Sequence, residues 1–151
     1  MIVRAAPPEH WCWIMARANL VVTPGFGVVE AIEDLRGAEG PARILGQVAF
    51  DGWMPGSVVI HVAIDEPIAV RRLAPLCFGM VFNVFRRGVI IAPIMSTNAR
   101  SLKFAKNLGF REAFRGRDWY AAGVDMVILE MRRPDCRWVT KKEKEVSKWA
   151  A

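Results

Sequence analysis

The segment Ser57-Val58-Val59-Ile60-His61-Val62-Ala63-Ile64 constrains this chain more than any other. β-Branched residues dominate it, and both of its alternating faces are apolar apart from His61, the pattern of a strand buried on two sides in the middle of a sheet. A second run of the same kind, Val89-Ile90-Ile91-Ala92-Pro93-Ile94, follows Gly88. Its proline cannot donate to a ladder, so Pro93 marks an edge, a bulge or a place where pairing is interrupted. Between the two strands, Ala69 to Phe82 has the length and the Leu and Met content of a helix, with Pro75 and Gly79 as internal weak points.

The remaining elements fall around this unit. Pro7-Pro8-Glu9 opens a first helix that carries Trp11, Ile14, Met15 and Ala18 and ends near Asn19. Phe26 to Leu35 and Ile44 to Phe50 read as strands separated by Gly37 and Gly40-Pro41, and Asp51-Gly52 begins the turn into the central strand. Asn98 is an N-cap for a helix with Leu102, Phe104, Ala105 and Leu108 on its apolar side, closed by Gly109 at C′. Phe110 to Trp119 and Val124 to Arg132 read as two last strands. The order predicts an α/β or α+β fold: a single mixed, mostly antiparallel sheet flanked by helices.

Composition narrows the function classes. With 151 residues, 53% of them apolar, the chain can bury one substantial core without disulfides or a structural metal. Its longest uninterrupted apolar stretch, Leu73 to Phe82, is shorter than the about 18–20 residues a spanning helix needs. No signal-like start opens the chain, so the expectation is a soluble, cytoplasmic protein with no membrane association. Three cysteines, Cys12, Cys77 and Cys136, and two histidines match no metal-ligand spacing, so no metal is expected. The net charge of +6 concentrates at the C-terminal end, where seven basic and three acidic residues follow from Arg132 onward. Such a run is a solvated surface, or it engages nucleic acid or an acidic partner.

The stretch Asn98-Ala99-Arg100-Ser101 through Leu108-Gly109-Phe110 resembles the second half of the GCN5-related N-acetyltransferases, especially their ribosomal-protein-acetylating branch. Gly123-Val124-Asp125-Met126 and Met131 are similar to that branch's last strand, and His61 with Met131-Arg132-Arg133 and Cys136-Arg137-Trp138 resembles small phage-encoded members. The resemblance spans Ser57 to Trp138. It implies an acyltransferase domain over residues 1–138, followed by a basic tail or helix over 139–151, with acetyl-CoA as co-substrate and a primary amine as acceptor. It also implies that the fourth and fifth strands splay apart so that backbone groups of Val62, Ala63 and Ile64 bond the pantetheine arm as another strand would. The family's Gly-rich phosphate loop is missing: Asp65-Glu66-Pro67-Ile68-Ala69-Val70-Arg71-Arg72 stands in its place. Arg71 and Arg72 then become the candidates for the phosphate oxygens, because guanidinium forms paired bonds with them.

Asn98 and Ser101 lie where the family directs side chains toward the cofactor, although capping alone would explain both. Phe104 stands near the position of a family Tyr that protonates the departing thiolate; phenylalanine has no proton to give, so that role is absent, taken by water, or moved to Tyr120. His61 is the candidate general base, since imidazole exchanges its proton near neutrality; a satisfied core histidine is the competing reading. Glu30 or Glu33 could act instead. On the acceptor side, Glu30 and the aromatic set Trp11, Trp13, Phe26 and Trp53 are candidates, with core packing as the alternative for the aromatics. The acceptor is a small amine or a protein amine, and Val139, Val146 and Trp149 offer apolar anchors for a homodimer. The rival function is a catalytically silent binding module of the same fold that uses its basic tail for nucleic acid or an acidic protein.

Overall fold

The computed structural model describes residues 1–139. In chain order these form β1 (Ile2–Ala5), a 3-10 turn (Pro8–His10), α1 (Cys12–Ala18), β2 (Gly27–Ile32), β3 (Ile44–Asp51) and β4 (Ser57–Ile64). A further 3-10 turn (Pro67–Ala69) leads into α2 (Val70–Gly79), then β5 (Val89–Met95), α3 (Ala99–Leu108), β6 (Arg111–Ala121) and β7 (Val124–Arg132). All seven strands form one sheet in the order β1-β2-β3-β4-β5-β7-β6. Every neighbouring pair is antiparallel except β4 and β5. The mixed, mostly antiparallel sheet expected from the element order is the one observed.

The two faces are covered unequally. α2, the turn that follows it and α3 bury Leu73, Phe78, Phe82, Ala105 and Leu108 against Val58, Ile60, Ile90, Val127 and Leu129, which makes the main core. On the other face the short α1 packs Ile14 against Phe26, Val28 and Ala49 in a smaller cluster. The helical run 67–84 is long and apolar enough, by those measures alone, to cross a membrane. Here its inner side lies in the core, as for the core helix of a globular domain. Pro75 and Arg71, four residues before it, both lie on the exposed side of α2, where a carbonyl left without its helical donor meets water. The run ends in one π turn, Met80–Val84.

β2 and β1 depart most from the sequence expectation. The second strand stops at Ile32 rather than Leu35, because Arg36 and Gly37 turn through positive φ of 46° and 89°. The four-residue β1 pairs on β2 from Ile2↔Ile32 to Ala5↔Val29 and carries no alternation long enough to be read from sequence. The tail from Thr140 onward, with two of the three proposed dimer anchors, Val146 and Trp149, lies outside the described residues.

Cys77 is fully buried beneath α2, and burial pushes its thiol up to about 12. Cys136 is buried as well, and Cys12 is exposed. Alkylation of the native protein at pH 8 is therefore expected to modify Cys12 alone, and Cys77 and Cys136 only after unfolding. Peptide mapping that found Cys77 modified under native conditions would contradict this packing.

Candidate active site

The parallel pairing of β4 and β5 covers only Ser57↔Val89, Val58↔Ile90 and Val59↔Ile91; beyond that the strands separate. Each stays zipped to its other neighbour: β4 to β3 as far as Ile64↔Gly46, and β5 to β7 as far as Met95↔Met126. Gly46 helps hold β4 on that side, since a Cβ there would lie 2.7 Å from Ile64 Cδ1. Pro93 pairs with Ile128 of β7, and its missing N–H costs no ladder bond on the β4 side, where nothing is paired at that height. The sequence alternatives for Pro93 resolve into this one: it borders an opened gap.

A cavity of about 310 Å³ passes through the gap, lined among others by Ile60, His61, Val62, Pro93, Met95 and Tyr120. His61 stands just past the fork. Its partner in register is Ala49, so its side chain shares the α1 face of the sheet with Asp51, the diagonal neighbour on β3. His61 Nε2 and Asp51 Oδ1 are 3.2 Å apart, with side chains 16% and 19% exposed. An ionised carboxylate only accepts, so Nε2 carries the proton and donates, leaving the Nδ1 lone pair for a substrate proton. In the sequence Asp51 reads only as a turn residue. The signal available was the hairpin register, which sets residues ten apart, 51 and 61, diagonally on one face.

Tyr120 reaches the same cavity from a wide bulge. Between Gly116↔Met126 and Ala121↔Val124, four residues of β6 stand opposite Asp125 alone. Asp118 turns through a φ of 57°; its N–H donates to Asp125 Oδ1 at 3.1 Å, and its Oδ1 accepts from Gly123 N at 2.8 Å. Trp119 folds over Gly116, whose missing side chain leaves room for the ring, and packs at a tilt against Phe114, with ring centroids 5.2 Å apart.

At its wide end the gap opens into a larger cavity of about 790 Å³. Val62, Ala63 and Ile64 line one wall, with Asn98, Arg100 and Ser101 from the start of α3 opposite. Asn98 caps α3 by accepting from Ser101 N at 3.1 Å, so capping and a place on the cavity coexist. Three arginines supply the positive charge here: Arg17 of α1, Arg43 just before β3, and Arg100. Arg17 pairs with Asp65 at 3.1 Å. Arg43 bonds Glu66 and Glu33, and the Glu66 hydrogen bond raises the pKa of its guanidinium. Arg100 has no ion-pair partner among the described residues. The β4–α2 turn itself offers few amides to an anion: Asp65 N and Glu66 N both donate to Leu45 O, and Ala69 N donates to Glu66 O.

Arg71 and Arg72 sit exposed on the first turn of α2, and neither lines either cavity. Glu30 is fully buried on β2 and accepts from Arg4 Nε, His10 Nδ1 and Gln47 Nε2, also away from both cavities. Trp53 donates its indole N–H to Gly25 O at 2.9 Å and packs between Phe50 and Phe85. Phe26 and Trp11 meet edge to face in the smaller core, and Trp13 lies under the Arg17 guanidinium. Among the described residues, no three His, Cys, Asp or Glu side chains gather where they could hold a metal ion.

No protein-family model matches the chain, and no curated protein sequence does. Solved structures do. A point mutant of spermidine N-acetyltransferase SpeG from Vibrio cholerae superposes with a TM-score of 0.70 at 11% identity, over 94% of this chain and 99% of that one. A protein assigned to the GNAT acetyltransferases from Desulfovibrio desulfuricans matches with a TM-score of 0.61 at 16% identity, over 87% and 98% of the two chains. The architecture is therefore the fold of the GCN5-related N-acetyltransferases.

Proposed function

We propose that the protein is an acetyl-CoA-dependent N-acetyltransferase that moves the acetyl group to a primary amine by direct attack within a ternary complex. The observation that carries this reading is the opened β4–β5 gap with the His61–Asp51 pair at its fork. The free strand flanks offer amide and carbonyl groups to the pantetheine amides as a neighbouring strand would, and Arg17, Arg43 and Arg100 face the phosphates at the wide end. The thioester carbonyl then lies near the fork. The amine nitrogen attacks the carbonyl carbon, His61 Nδ1 accepts the amine proton, and the C–S bond breaks to release the thiolate. Tyr120 or water supplies the proton the sulfur takes up. Holding both reactants in one cleft supplies much of the rate gain.

The Asn98 to Phe110 segment supports a place near the ribosomal-protein-acetylating branch and its small phage-encoded relatives. Free thiols at Cys12, Cys77 and Cys136 support a cytoplasmic setting. The silent binding-module alternative and the homodimer both draw on the tail, whose residues 140–151 lie outside the described ones.

Calorimetric titration with acetyl-CoA tests the reading: micromolar binding is expected, and no heat at millimolar ligand overturns it. Arg100→Ala should weaken that binding roughly 10-fold, the effect of losing one charge-assisted contact of about 1.5 kcal/mol. Arg71→Ala and Arg72→Ala, outside the cavity lining, should leave it within about twofold. The reverse order would return the phosphate role to the α2 pair.

A further inference from the structure

Resting on that reading of the cleft, we propose that the acceptor is an amine carried on an apolar, aromatic body and not a polycation. The lining of the gap cavity contains no aspartate or glutamate. The carboxylates nearby on the same sheet face are already engaged: Asp51 with His61, and Glu130 with both Arg111 and Arg132. At the rim stands Arg17, stacked at 3.7 Å over Trp13, and the carboxylate beside it, Asp65, is already held in its ion pair at 3.1 Å. Several ammonium groups brought here would lose their water without gaining a counter-charge, which is a heavy penalty in a half-buried site.

The apolar provision on that side is large. α1 has seven residues and packs over β3 and β4, so the sheet beyond the fork has little cover. Ile91, Pro93 and Met95 of β5 and Met126 and Ile128 of β7 are only half-buried there, whereas Ile90, Ala92, Val127 and Leu129 on the opposite face are buried. The bulge of β6 extends this floor with Trp119 at 65% exposure and Tyr120 at 46%. From the α1 side, Leu20 lines the cavity and is followed by Val21 and Val22, 72% and 53% exposed. Methionines and aromatic rings at half exposure, continuous with a cleft that ends on a proton acceptor, suit a flat apolar group whose single amine points at His61.

The experiment compares tryptamine with spermidine as acceptors at saturating acetyl-CoA, alongside calorimetry of acetyl-CoA alone. The expected result is a kcat/KM for tryptamine at least about 10-fold above that for spermidine, the scale on which pocket contacts discriminate. Met126→Asp, and separately Met95→Asp, should shift the ratio toward spermidine by a similar factor, a readout that does not depend on the total amount of folded enzyme. If acetyl-CoA binds but spermidine is preferred, or neither amine is acetylated, the acceptor inference falls while the donor reading stands. If acetyl-CoA does not bind, both fall.

Discussion

Replacing His61 by alanine is expected to lower kcat by 10²–10⁴-fold (order of magnitude), the range a positioned general base contributes, while the affinity for acetyl-CoA stays within about twofold. The separation follows from geometry. The imidazole stands at the fork on the α1 face, whereas the backbone groups offered to the pantetheine belong to the strand flanks, and Arg43 and Arg100 line the wide-end cavity, which His61 does not border. Asp51→Asn sharpens the test. The carboxylate fixes Nε2 as the protonated nitrogen, and a carboxamide can instead donate to Nε2 and leave the proton on Nδ1, the atom that must be free. That variant should lose roughly 10-fold or more in kcat, with the affinity for acetyl-CoA and the melting temperature unchanged. Equal losses in kcat and in acetyl-CoA affinity on His61→Ala would make the histidine a packing residue of the cleft wall.

The sequence carried the sheet and the gap further than it carried the charges. Two-sided apolarity marks Ser57–Ile64 as a central strand and Val89–Ile94 as a buried one, and the proline in the second points to an edge, a bulge or interrupted pairing, because these signals are properties of single strands. The α3 caps were equally plain, Asn98 and Gly109 each fixed by a local backbone need. Side-chain partnerships across the fold were not. Arg17, Arg43 and Arg100 come from three separate elements, and nothing along the chain says that they meet at one cavity; Arg71 and Arg72 were the ones adjacent to the missing glycines. Asp51 joins His61 only through hairpin register. Glu30 looked like a strand carboxylate available for chemistry, and its burial becomes visible only once β1 and the 3-10 turn Pro8–His10 are laid against it.

That burial has the largest expected consequence for stability. Glu30 is fully buried, with Arg4 Nε donating to Oε1 at 2.8 Å and His10 Nδ1 to Oε2 at 2.9 Å. Gln47 adds a longer bond of 3.3 Å and ties the group to the chain by donating to His10 O at 3.1 Å. The double variant Arg4→Ala, His10→Ala leaves a carboxylate in the sheet with one neutral donor, and urea unfolding should show a loss of about 3–5 kcal/mol, a large part of a typical domain's ~5–15 kcal/mol. Adding Glu30→Met should recover most of that loss, since a buried ion pair replaced by an apolar group of similar volume is often close to neutral and Gln47 keeps its bond to His10 O. A double variant that loses less than about 1 kcal/mol would mean that water reaches the carboxylate and that the cluster is no more than a surface ion pair. The same cluster anchors the turn that leads into α1, whose end supplies Ala18, Asn19 and Leu20 to the gap cavity and not to the wide-end one. The double variant should therefore also raise KM for the acceptor more than for acetyl-CoA, because those residues border the acceptor side of the fork.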